Sequence, residues 1–190
     1  MRRLIFIPLF SATIVALGLL FLAVPNFELV TFTCFLAGYL LGARDGVAAA
    51  ALGEGLYSFL NPMGAAALPL LIAQILGMSL AAFIGSLTAE NLRRFYRFFK
   101  MDQSNISIWK SSLLFGILGL LLTLIFDLLT TASFLIFAGL SMKKFVASLV
   151  FGLYFYLLHI GSNAVIFAVL LPIAIPRLEN WLLLAQRKRG

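Results

Sequence analysis

The chain is poor in charge. Asp, Glu, Lys and Arg make up only 11% of its 190 residues, against about a quarter in a soluble domain, so it lacks the polar surface that a water-soluble fold needs. A single cysteine, Cys34, excludes an internal disulfide and, lying in an apolar run, reads as a small buried apolar residue. There is one histidine, His159, and without further His or Cys at ligand spacing a zinc site is not expected. No G-x-x-x-x-G-K-[ST] loop occurs, so the chain has no such means of drawing on ATP by itself. Gly-x-Ser-x-Gly, His-Glu-x-x-His and paired-Asp lipid-phosphate motifs are also missing. We therefore expect no enzymatic activity and no cofactor.

What is present is apolar. Hydrophobic residues reach 63% and the mean hydropathy is +1.08, the composition of an integral membrane protein. The apolar runs predict an all-α, six-transmembrane-helix bundle in one domain, with spans at about 4–24, 29–43, 46–60, 66–89, 111–129 and 145–171. A crossing takes about 20 helical residues. The second and third runs fall short of that, which suggests tilt, bilayer thinning or shielding by protein. Arg2-Arg3 followed by an apolar run has the outline of a signal peptide, but Val24-Pro25-Asn26-Phe27 lacks a small-x-small cleavage site and we expect a retained first span. The run Ala132 to Leu140 is too short to cross and reads as a loop or short helix over the bundle.

The net charge of +7 raises the question of nucleic acid, but the basic residues sit at the ends of apolar runs. Of 14 Lys and Arg, only Lys143 and Lys144 fall on the side away from the N-terminus. By the positive-inside rule both termini are expected in the cytoplasm, with Trp109 and Trp181 at the same interface. The segment Glu90 to Lys110, with Arg93-Arg94-Phe95-Tyr96-Arg97-Phe98-Phe99-Lys100, reads as an amphipathic continuation of the fourth span lying on anionic lipid headgroups rather than on nucleic acid.

Three ionisable residues, Glu54, Asp127 and His159, lie within these apolar stretches. Each is costly in a bilayer unless it finds a partner or water, and so marks a polar cavity. Glu54, Tyr57 and Asn61 follow i, i+3, i+7, one helical face, able to hydrogen-bond a polar ligand; the alternative is that Glu54 is an interhelical strut satisfied by a backbone donor or Gln74. Asp127, Thr130 and Thr131 share another face, as ligand contacts or as caps at the end of the fifth span. Tyr156, His159 and Asn163 form a third stripe. Small residues at Ala12-x-x-x-Ala16, Gly38-x-x-x-Gly42 and Gly77-x-x-x-Ala81-x-x-x-Gly85 allow close helix packing.

Several segments together resemble a family. Phe27-Glu28-Leu29-Val30-Thr31, Ala37-Gly38-Tyr39-Leu40-Leu41-Gly42 and Gly53-Glu54-Gly55-Leu56-Tyr57-Ser58-Phe59-Leu60-Asn61-Pro62 look like the substrate-binding S components of energy-coupling factor (ECF) transporters. Phe126-Asp127-Leu128-Leu129-Thr130-Thr131 and His159-Ile160-Gly161-Ser162-Asn163-Ala164 with Pro172 are similar to their fifth and sixth spans. The resemblance implies a multi-pass protein of a prokaryotic plasma membrane that captures a vitamin-like micronutrient from outside. It also implies partners, a transmembrane T component and two ABC-type ATPases, and delivery by toppling of the S component. Ala12 and Ala16 match positions that face the T component. Asn61, Asp127 and Asn163 match pocket regions, with Gln74 and His159 deeper. Thr131 departs from the Asn that follows Asp-Leu-Leu-Thr in many relatives. The rival expectation is a non-transporting membrane scaffold of similar helical bundle, resembling small cell-shape proteins. With no basic residue deep in the spans, a neutral or cationic, partly aromatic ligand is expected.

Overall fold

The computed structural model describes residues 2–99, 108–139 and 141–187. Among them are six helices and no strand: α1 (Arg2–Leu20), α2 (Val30–Leu41), α3 (Ala43–Phe59), α4 (Leu68–Phe99), α5 (Ile108–Ala138) and α6 (Met142–Arg187). Stretches of α4, α5 and α6, Leu68–Arg94, Ile108–Ile136 and Met142–Glu179, are long and apolar enough to cross a membrane, while Ile5–Leu20 and Val30–Leu41 are shorter apolar helices.

Sequence chemistry explains most boundaries. The helix α1 gives way to a loop containing Pro25 and Asn26, the latter at a φ of 56°, a conformation that Asn tolerates better than most residues. Gly42, at a φ of 87°, turns the chain sharply from α2 into α3. Asp45 lies in the first turn of α3, where a negative charge complements the helix dipole. Asn61 closes the next turn: its Oδ1 accepts from the Met63 amide at 2.9 Å and its carbonyl accepts from Gly64 N at 3.0 Å. Pro69 then stands in the first turn of α4, where its missing N–H is harmless.

The short helix α2 is the centre of the bundle. Nine of its 12 residues are buried, and it touches every other helix. At 1.5 Å per residue it is only about 18 Å long, well under a hydrocarbon core, and protein surrounds it. This is the shielding that the short second run suggested. Glycines set the close crossings. A Cβ on Gly38 would run into the Ala82 carbonyl of α4, one on Gly85 into the Phe35 carbonyl of α2, and one on Gly46 of α3 into Gly38 itself. Gly38 of the second run and Gly85 of the fourth therefore lie at the α2–α4 crossing, whereas Gly77 faces Phe126 of α5 and Gly42 has nothing against it. Phe35, Phe115 and Phe167 pack edge-to-face at 5.3–6.2 Å between ring centres, an arrangement favoured by the ring quadrupoles.

Two segments differ from expectation. Ala132 onward is neither a loop nor a separate helix: α5 continues to Ala138, because no Gly or Pro interrupts it before Gly139, which adopts a φ of 84° as helix-terminating glycines do. Leu135 is buried there and Ser133 donates back to the Thr130 carbonyl at 2.7 Å. The sixth run extends beyond Leu171, with α6 continuing through Pro172 and Pro176. Far from the α1–α3 loops, Arg93 of α4 donates to Glu179 of α6 at 3.1 Å. The helical continuation of α4 is seen as far as Phe99; Lys100 to Ser107 lie outside the described residues.

Large apolar side chains such as Leu52, Phe83, Leu113, Phe151 and Val165 stand exposed around the bundle, whereas Glu54, Thr123, Asp127, His159 and Asn163 are buried. This apolar outside and polar interior suit a lipid solvent.

Candidate functional site

Most of the buried polar residues collect near the end of the bundle where α1 and α3 finish and α2 and α4 begin. Glu28, in the loop before α2, joins Thr31, His159 and Asn163. Its Oε2 accepts from the Thr31 amide at 2.8 Å, satisfying one of the orphan donors at the α2 N-terminus and placing negative charge where the helix dipole favours it. Its Oε1 accepts from Asn163 Nδ2 of α6 at 2.9 Å and lies 3.6 Å from His159 Nε2. Burial alone would raise the Glu28 carboxyl, but the bonds from His159 and Thr31 outweigh it and hold it below its ordinary value.

His159 is bridged on its other side. Its Nδ1 donates to Asp127 Oδ1 of α5 at 2.8 Å, so the imidazole stands between two carboxylates from two different elements. Asp127 and His159 are each 7% exposed and Asn163 is fully buried. Ser162, one residue before Asn163, donates to the Asn26 carbonyl at 2.9 Å and fastens the α1–α2 loop to α6. The loop itself is stiffened by Phe21 packed edge-on to Phe27 at 5.1 Å.

Beneath this loop is a cavity of about 230 Å³, small beside the ~300–1,000 Å³ of pockets for drug-sized ligands. Glu28, Glu54, Gln74 and His159 give it polar walls; Phe21, Phe27, Tyr57 and Phe126 give it aromatic ones. Gly18 of α1 also lines it, and a Cβ there would come within 2.7 Å of the Tyr57 ring. Glu54 is 1% exposed. Ser58 Oγ donates to Glu54 Oε1 at 3.0 Å and lies 3.1 Å from Gln74 Oε1; a hydroxyl has one proton and serves one of these oxygens at a time. Among the described residues Glu54 Oε2, Asp127 Oδ2 and Asn163 Oδ1 are buried without a hydrogen-bond partner, a costly condition that invites a donor.

The residues named from sequence thus separate. Glu54, Tyr57, Gln74 and His159 line the cavity, and Asp127 and Asn163 brace it from behind through His159 and Glu28. Asn61 lies past the end of α3 and closes a turn, so the Glu54–Tyr57 stripe stops short of it. Thr130 bonds back to the Phe126 and Asp127 carbonyls at 3.0 and 3.1 Å. Thr131 pairs with Tyr156 at 2.7 Å as an α5–α6 brace. Neither threonine caps a helix end, since α5 runs on past them. Ala12 and Ala16 are exposed on the outer face of α1, opposite buried Ser11, Ile14 and Gly18. Sequence reasoning missed Glu28 as a site residue. Its signal was a carboxylate immediately before an apolar run, the place of an N-terminal helix partner. The aromatic lining, Phe21, Phe27 and Phe126, gave no signal among 19 phenylalanines.

Chemically, the arrangement accepts hydrogen bonds and positive charge. Among the described residues no Lys or Arg lines the cavity, and no group of three His, Cys, Asp or Glu side chains is placed to hold a metal ion. No family model, curated protein or solved structure matches this chain.

Proposed function

We propose that this chain is a membrane-embedded solute-capture subunit of the ECF S-component type. The observation that carries the reading is the small cavity under a tethered loop, with Glu54 and Gln74 on one wall and His159 on another. Structural polar pairs alone need no such space. In this reading all six helices lie in the plasma membrane with both termini cytoplasmic, the cavity opens outward, and the α1–α2 loop covers it. The exposed Ala12 and Ala16 on α1 form the contact with the T component, and the ATPases supply the energy that this sequence has no P-loop to draw on.

A second reading, a non-transporting scaffold, is favoured by the mutual pairing of Glu28, His159, Asp127 and Asn163, which ties the α1–α2 loop, α5 and α6 without any ligand. The two readings part on one measurement. Mass spectrometry of small molecules retained by the purified chain, followed by uptake in cells with and without the T component and ATPases, should show a retained solute whose uptake needs those partners. Uptake by liposomes containing this chain alone would replace the reading with an autonomous transporter. No retained or stabilising solute would leave the scaffold.

A further inference from the structure

The cavity contains more negative than positive groups, and the excess is not shared evenly. Three carboxylates, Glu28, Asp127 and Glu54, lie on or just behind its walls with one imidazole among them. Glu28 is held by the α2 N-terminal amide, by Asn163 and by His159. Asp127 is held by His159. Glu54 is different: it receives a neutral hydroxyl on one oxygen and nothing on the other, although it is 1% exposed. A carboxylate so placed is stabilised most by a charge-assisted N–H donor. Around it stand Tyr57 and Phe126 with Phe21 and Phe27 under the loop, flat faces that attract a cation through their quadrupoles.

From this geometry we propose that the cavity binds a small organic cation of about one aromatic ring, its protonated nitrogen donating to Glu54 and Gln74 and its flat body lying among Tyr57, Phe126 and Phe27. This rests on the capture reading above and names its substrate class. The size follows from the 230 Å³ available, which admits a substituted ring but not a large fused cofactor. A bare divalent cation fits poorly, because His159 and two of the carboxylates already serve each other and Glu54 and Gln74 would offer it little more than two oxygens.

A matched series tests the class: benzamidine, benzamide and benzoate share one flat frame and differ in charge. Each is titrated against the full chain in lipid nanodiscs by thermal shift and by equilibrium dialysis, with Mn²⁺ and Ni²⁺ as further arms. Benzamidine should bind about tenfold more tightly than benzamide, the difference between a charged and a neutral hydrogen bond, and benzoate should not bind. Glu54→Gln should erase the advantage of benzamidine over benzamide. The ranking in the unaltered chain is decisive even where that variant folds poorly. Benzamide or benzoate binding as tightly as benzamidine would overturn the cation inference and leave the capture reading standing, as would stabilisation by the metal ions alone. No shift with any of the five, in protein helical by circular dichroism, would overturn this inference, while the retained-solute measurement decides the capture reading.

Discussion

Replacing His159 by Phe should destabilise the bundle by about 3–5 kcal/mol, the range seen when one partner of a buried ion pair is removed. The structure says where the loss falls. Glu28 would keep its bonds from Thr31 and Asn163, but Asp127 would lose the partner on Oδ1 when Oδ2 already has none. An orphan carboxylate that is 7% exposed carries most of the penalty. For a chain of this size the shift in melting temperature would be about 6–20 °C. Asp127→Leu alone should cost less, about 1–2 kcal/mol, because His159 retains Glu28 at 3.6 Å. The double variant Asp127→Leu/His159→Phe removes both polar partners and replaces them with apolar groups of similar size, so it should return to within about 1 kcal/mol of the parent. The assay is thermal and denaturant unfolding in one detergent, run as a double-mutant cycle. Losses that simply add in the double variant would refute the pairing and, with it, the account of how α5 and α6 hold the site.

The glycine contacts make an opposed pair: Gly38→Ala should destabilise by about 1–3 kcal/mol because its methyl meets the α4 backbone. By contrast, Gly161→Ala, with nothing within 4 Å, should stabilise α6 by about 0.5–1 kcal/mol, and melting curves read both. Thr131→Val and Tyr156→Phe should each cost about 0.6–1.5 kcal/mol, and the double variant no more than either, since both remove the same 2.7 Å bond; additive losses would count against it. Ala16→Leu, on the exposed face of α1, should leave stability within about 0.5 kcal/mol while lowering co-purification with a T component. Unchanged co-purification would remove α1 from that interface.

Much of the bundle was legible because long apolar runs leave few alternatives, and the intramembrane ionisable residues gather at the end where the cavity lies. Glu54 and His159 reach the cavity because their helical stripes remain intact at those positions. Asn61 does not, because the Asn-Pro turn ends α3 first, and no periodicity argument extends past a helix end. Thr130 and Thr131 were readable as helix-boundary residues only by assuming that polar residues stop a helix. In an apolar environment Thr130 bonds its own backbone instead, and α5 runs on. Glu28 escaped notice because it lies outside the apolar runs, where a charge looks ordinary; three-dimensional closure of the loop makes it a half-buried partner of Asn163, 135 residues away.

The shortness of α2 connects these findings. A helix of ordinary length at the centre would fill the bundle from end to end, and Glu54 would then face side chains. Because α2 begins only at Val30, the space above its N-terminus is left to α1, α3, α4 and the loop, and the cavity occupies it. The same N-terminus offers the free amide that fixes Glu28, and Glu28 in turn fixes Asn163 while lying beside His159. One truncated helix thus supplies both the vacancy and the anchor for the polar side chains around it. Restoring length to α2 should therefore abolish ligand binding and also lower stability, because the amide that anchors Glu28 would be taken up within the helix. Pro25→Ala with Asn26→Leu, intended to let helix propagate into the loop, puts this to measurement: retained capture of benzamidine with added helicity would show that the loop, and not the gap above α2, makes the site.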